Sequence, residues 1–186
     1  MKKYIISTSF LLLLLNFAYS QEKYLTTKGH IDFFSHTIAE DIKADNNQVL
    51  SVVNLEDKEI VIHVLMKSFL FENSLMQEHF NEDYVESDKF PKSKFTGQII
   101  GFNPNGNAEQ KVTLKGVLTL RGKNKEVEVP SILKFKDESL LVKGFFTIQV
   151  EDFDIKIPQS TINNIAKSIK VSFDIKHDKY EEENEY

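Results

Sequence analysis

The stretch Lys111-Val112-Thr113-Leu114-Lys115-Gly116-Val117-Leu118-Thr119-Leu120, followed by Arg121-Gly122-Lys123-Asn124-Lys125 and then Glu126-Val127-Glu128-Val129-Pro130, decides the fold class. Val112, Leu114, Leu118 and Leu120 recur with a period of two, which puts them on one face of an extended strand. Arg121 to Lys125 is a turn of hairpin length, so the strand that follows, Glu126 to Phe135, returns antiparallel to the first.

The same pattern repeats outward from this hairpin. Ile60, Ile62, Val64 and Met66 alternate in Glu59 to Met66. Leu140, Val142, Phe146, Ile148 and Val150 alternate in Ser139 to Val150, and Ile169, Val171, Phe173 and Ile175 in Lys167 to Ile175. Ile31 to Phe34, Val49 to Asn54 and Phe95 to Phe102 are further strand candidates. The connections Asn54 to Lys58, Asn103 to Asn107 and Lys136 to Ser139 are again of hairpin length, which leaves no room for the crossover helices a parallel sheet needs. A meander of this kind exposes unpaired backbone at its two outer strands, and closing into a barrel removes both edges. The expected fold is therefore all-β, an antiparallel up-and-down barrel of about eight strands with short helices, with a two-sheet sandwich as the alternative. The helices are expected at Ile38 to Ala44 behind the capping box Thr37-x-x-Glu40, at Ser74 to Asp83 behind Asn73, and at Thr161 to Ser168 behind Ser160.

Met1-Lys2-Lys3, the apolar run Ile5 to Leu15 and the small-x-small sequence Ala18-Tyr19-Ser20 have the form of a signal peptide over residues 1–20, cleaved before Gln21. The run is too short to span a bilayer, so no stable membrane anchor is expected and the mature protein is placed in the periplasm or outside the cell. The domain is expected over residues 21–177, and the acidic stretch 178–186 is expected to be a disordered tail. The chain has no cysteine, which excludes a disulfide framework and the thiol that a lipoprotein acylates. Its 15 phenylalanines and no tryptophan point to an interior rich in aromatic rings. A formal charge of −5, without a basic patch, argues against nucleic acid or an anionic membrane surface as partner.

No nucleotide-binding loop or hydrolase elbow is present. On the expected helix His79 shares a face with Asp83, and Glu78 with Glu82, but two or three ligands on one exposed turn make an incomplete metal site. His63 falls on the strand face opposite Ile60, Ile62 and Val64, where an outward structural histidine is expected. In Glu151-Asp152-Asp154, alternation puts Phe153, Ile155 and Ile157 on one face and Asp152 with Asp154 on the other, a wet face and not an acid–base pair. The densest chemical feature is aromatic: Phe69, Phe71, Met76, Phe80, Tyr84, Phe90 and Phe95 cluster around the expected helix. These side chains either plug one end of the barrel or, together with Leu118, Leu120, Phe146 and Ile148, line an apolar ligand-binding cavity.

Met76-Gln77-Glu78-His79-Phe80, Tyr84 and Ser87-Asp88-Lys89-Phe90-Pro91-Lys92-Ser93-Lys94-Phe95 resemble the helix-and-loop signature of the YceI-like proteins. The hairpin Lys115 to Pro130, with its Leu118-Thr119-Leu120 core, and the stretch Gly144 to Pro158 are similar to later elements of the same family, and the resemblance covers about Gly29 to Ile175. It implies an exported, lipocalin-like barrel that binds or carries a long polyisoprenoid chain, typically of quinone type. The leading expectation is a carrier or store of one long apolar molecule, polyisoprenoid, quinone or lipid-like, held in the barrel with no cofactor. Gly29-His30-Ile31-Asp32-Phe33-Phe34-Ser35-His36 departs in order from the family's first strand, so no headgroup contact carries over to His30 or His36. The rival expectation is a non-enzymatic envelope-stress or interaction module whose barrel is filled by its own side chains. Whether two copies pair as a homodimer stays open.

Overall fold

The computed structural model describes residues 22–38, 40–106, 108–157 and 166–180. Among these, one continuous sheet contains β1 (Lys23–His36), β2 (Asp41–Asn54), β3 (Glu59–Leu65), the two-residue β4 (Leu70–Phe71), β5 (Lys92–Ile100), β6 (Gln110–Leu120), β7 (Lys123–Lys136), β8 (Ser139–Gln149) and β9 (Ser168–Lys179). Each long strand pairs antiparallel with the next along the chain. β9 then pairs with β1, which pairs with β2 on its other side, so eight strands close into an up-and-down barrel. The sandwich alternative falls, because neither end of the meander is left as an edge.

Register divides the barrel into two ends. At one, tight turns join β2 to β3 and β7 to β8, Ile100 to Gln110 joins β5 to β6, and Tyr180 donates its N–H to Lys23 O. At the other, the β1–β2 and β6–β7 turns alternate with two excursions, residues 66–91 after β3 and, as far as it is described, 150–157 after β8. The tight end is packed solid: Ile60, Leu133, Leu140, Val142 and Ile175 are wholly buried, and Phe135 meets Tyr24 edge-on and Phe102 at a tilt, with ring centroids 6.0 and 6.4 Å apart.

Three local expectations change. Residues 41–44 are the start of β2 and not part of a helix. Thr37 Oγ1 does accept the Glu40 N–H at 3.1 Å, the contact a helix cap would make, but it closes the β1–β2 turn. Pairing with β1 from Ser35↔Ile42 through Ile31↔Asn46 then outweighs a two-turn helix. Residues 150–153 leave the sheet as a 3₁₀ turn, with Phe153 buried and Asp154 left-handed at φ 55°, so Phe153, Ile155 and Ile157 do not share a strand face. β9 continues through Asp178 and Lys179, into the stretch expected to be tail, and Ser139 Oγ donates to Asp178 Oδ1 at 3.0 Å. The expected signal peptide, residues 161–165 of the helix expected behind Ser160, and residues 181–186 of the expected tail lie outside the described residues; the described end of that helix is not helical, because Ser168 already pairs with Gln149 as the start of β9.

Candidate ligand-binding cavity

Alternation turns one residue in two of every strand inward, and in the half of the barrel nearer the excursions these side chains do not meet. They enclose a cavity of about 410 Å³. Its walls are Ile31 and Phe33 of β1, Ile62 and Val64 of β3, Phe95 of β5, Leu114, Leu118 and Leu120 of β6, Val129 of β7, Phe146 and Ile148 of β8, and Ile169, Val171 and Phe173 of β9.

The excursion between β3 and β5 covers the space. Asn73 caps helix α1 (Ser74–His79), its Oδ1 accepting the N–H groups of Leu75 at 2.9 Å and Met76 at 3.4 Å. The helix widens into a π-turn over Phe80–Tyr84, closed by the Val85 N–H on Phe80 O. This geometry sets Phe80 against Phe33, Phe69 and Phe71, with centroids 5.5, 5.6 and 5.1 Å away. The rings, together with Met66, Met76 and Tyr84, form an aromatic cover over the strand walls.

Polar groups on the lining are few, and several are already engaged. Ser93 Oγ donates to Thr119 O at 2.8 Å, Ser35 Oγ accepts the Ala166 N–H at 3.1 Å, and Asn73 is spent on the helix cap. Glu40, His79 and Tyr84 complete the polar lining, all on the β1–β2 turn or the excursion and so at the open end. Water displaced from such a surface leaves few unsatisfied donors or acceptors, the condition under which an apolar ligand gains from burial.

The cover is tied to the barrel by charge. Arg121, at the β6–β7 turn, pairs with Glu86 at the end of the first excursion and donates to Asp154 O at 2.6 Å in the second. Lys123 Nζ meets Asp154 Oδ2 at 2.6 Å, and Lys125 Nζ meets Asp152 Oδ1 at 2.8 Å. The hydrogen bond and charge of Lys123 hold the Asp154 carboxyl below the usual carboxylate range. These acids are therefore struts.

Phe69, Phe71, Met76, Phe80, Phe95, Leu118, Leu120, Phe146 and Ile148 all line the cavity, but Phe90 does not. Its ring packs over Gly122 outside the cavity, with the Lys89 ammonium 5.0 Å and the Arg121 guanidinium 5.9 Å from its centroid. Sequence reading missed Phe33 and Phe173 as walls, although their alternation was visible. It also missed the buried histidine. His177 is fully buried in the packed end, with Nδ1 3.1 Å from Leu140 O and Nε2 2.8 Å from Ser51 Oγ. Leu140 O can only accept, so Nδ1 carries the proton and Nε2 accepts from the serine. Burial pushes the pKa of this ring down to about 4. A serine–histidine pair invites a nucleophile reading, yet Ser51 is wholly buried and neither residue reaches the cavity. His63 points outward from β3 as expected, with its pKa lowered by partial burial and by Lys94 and Lys92. His30 lies among Asn47, Asp32 and Asp45, and His36 pairs with Asp41. Among the described residues no three His, Cys, Asp or Glu side chains converge as a metal site, and no helix is long and apolar enough to cross a membrane.

The sequence profile of the YceI-like domain matches residues 14–177. No curated protein matches in sequence. Solved structures do match in fold. A polyisoprenoid-binding domain from Saccharophagus degradans, implicated in plant cell wall breakdown, superposes with a TM-score of 0.71 at 11% identity, covering 86% of this chain and 99% of that one. BcnA of Burkholderia cenocepacia gives 0.69 at 16% identity, covering 80% and 96%. The Campylobacter jejuni YceI protein gives 0.59 at 16% identity, covering 97% and 100%.

Proposed function

Because the chain belongs to the YceI-like family, we propose that it is an exported binding protein holding one long apolar molecule, of polyisoprenoid, quinone or lipid-like chemistry, in the barrel as carrier or store. The observation that carries this reading is the cavity itself: about 410 Å³ of almost wholly apolar space inside a closed barrel under an aromatic cover. At ~25 cal/mol per Å², a chain that buries about 300 Å² of apolar surface gains about 7.5 kcal/mol before the costs of association, with no charged partner. The polyisoprenoid-binding relative from Saccharophagus degradans supports that class of ligand. The rival, a self-filled interaction module, matches only the packed half of the barrel. Family likeness to binding proteins and the sealed position of Ser51 and His177 weigh against a catalytic role.

Export is tested by sequencing the N-terminus of protein taken from its native envelope, expected to begin at Gln21. Binding is tested by mass spectrometry of organic extracts of that protein: a stoichiometric lipid is expected. Leu118→Asp and Phe146→Asp, each putting a carboxylate on the cavity wall, should lose it while retaining the β-sheet circular dichroism spectrum. Folded variants that keep their lipid would place the ligand elsewhere.

A further inference from the structure

The cavity stops halfway down the barrel, and two aromatic residues stand where it stops. Phe95 on β5 and Phe173 on β9 line the cavity and are themselves buried, at 9% and 6% exposure. Leu114, opposite Ile99 in register, and Val129, opposite Leu114, also border it, whereas Ile60, Ile99, Val142 and Ile175 are at most 1% exposed and do not line it.

Both rings lie where a glycine makes room. Phe95 leans toward the tight end over Gly97, two residues on in β5, where an added Cβ would come within 2.7 Å of its Cζ. Phe173 faces Gly144 across the β8–β9 pair, where an added Cβ would come within 2.6 Å of its Cζ. A Cβ at Gly97 would meet the backbone Lys115 O at 2.5 Å even before the Phe95 ring, whereas at Gly144 the Phe173 ring is the nearest group, with Ser131 Oγ at 2.7 Å, so Gly144 is the position where a side chain would press on a floor ring. The Phe95 and Phe173 rings, with Gly144 behind the second and Leu114 and Val129 beside them, thus bound the inner end of the cavity.

Resting on the binding reading above, we propose that Phe95 and Phe173 are the specificity-determining floor of the site and set the length of apolar chain that the barrel encloses. An engineered cavity of about 150 Å³ takes up one six-carbon ring, so the same packing admits about 16 carbons here. A longer chain leaves its remainder at the open end, beside Phe33, Phe71 and Phe80.

The test is a series of straight-chain primary alcohols displacing N-phenyl-1-naphthylamine from purified, delipidated protein. Affinity is expected to rise about fourfold per methylene and to level off near about 16 carbons. Phe173→Leu should move that break to longer chains. Gly144→Ala, which displaces the Phe173 ring, should move it to shorter ones. Phe95→Leu is a second lengthening variant should Phe173→Leu lose its cooperative melt. A wild-type affinity that climbs steadily well past that length, or folded variants that all break at the wild-type length, would overturn the proposal while leaving the cavity as the binding site. Failure of every alcohol to displace the probe would overturn the binding reading itself.

Discussion

Acid should loosen the packed end of the barrel through one residue, His177. In the folded protein its ring is neutral, with both nitrogens bonded and its pKa near 4, whereas in the unfolded chain it titrates near its ordinary value of 6.5. Between these values the unfolded chain binds more protons than the folded one, so stability falls as pH drops through the interval. Below about pH 4 the folded ring protonates too, and the loss saturates. A separation of about 2.5 units at 1.36 kcal/mol each makes the full loss about 3 kcal/mol, a large share of the 5–15 kcal/mol typical of a domain. The structural cause is direct: a protonated Nε2 has no acceptor lone pair for the Ser51 hydroxyl and carries a charge in a wholly buried setting. Urea unfolding from about pH 7.5 to 3.5 should show the wild type losing about 3 kcal/mol more than His177→Gln, whose side chain does not titrate. Equal pH slopes for the two proteins, or an NMR titration of His177 centred near 6.5, would refute the reasoning.

Other consequences follow from contacts already described. Arg121→Ala removes charged hydrogen bonds that hold both excursions and should cost about 1–3 kcal/mol, with faster release of bound probe measured by stopped-flow fluorescence. Asn73→Ala deletes the α1 cap and should cost about 1 kcal/mol by urea unfolding, with hydrogen-exchange protection lost locally in residues 74–79. Gly116→Ala sets a Cβ 2.2 Å from Thr96 O, a backbone atom that cannot step aside, and should destabilise by about 3 kcal/mol or more in thermal melts.

Much of the barrel was legible because its physics is local. Period-two alternation in β3, β6, β8 and β9 marks the strands, and the β2–β3, β5–β6, β6–β7 and β7–β8 connections are too short for a crossover, so those neighbours are antiparallel; across the long connections after β3 and β8 it is the need to hide edges that favours closure. The Asn73 cap and the aromatic density from Phe69 to Phe80 were equally visible, since each depends on side chains a few residues apart. Errors arose where a local signal met a longer-range competitor. Thr37 and Glu40 do make their capping contact, yet β1 claims the residues that follow as its hairpin partner. Phe90 belongs to the aromatic run in sequence, but the turn through the positive-φ residue Glu86 delivers it to Arg121 and Gly122.

What the chain order alone determined is which side chains face inward, because a strand's two faces follow from backbone geometry at each residue. It did not determine whether those side chains meet. Val112 and Leu114 have the same alternation as Leu118 and Leu120, yet Val112 packs in the filled half while the other three border the void. That difference depends on barrel girth, on the Phe95 ring over Gly97 and the Phe173 ring over Gly144 of the neighbouring strand, and on a cover held down by Arg121. It is a property of eight strands taken together, so only the tertiary structure could decide it.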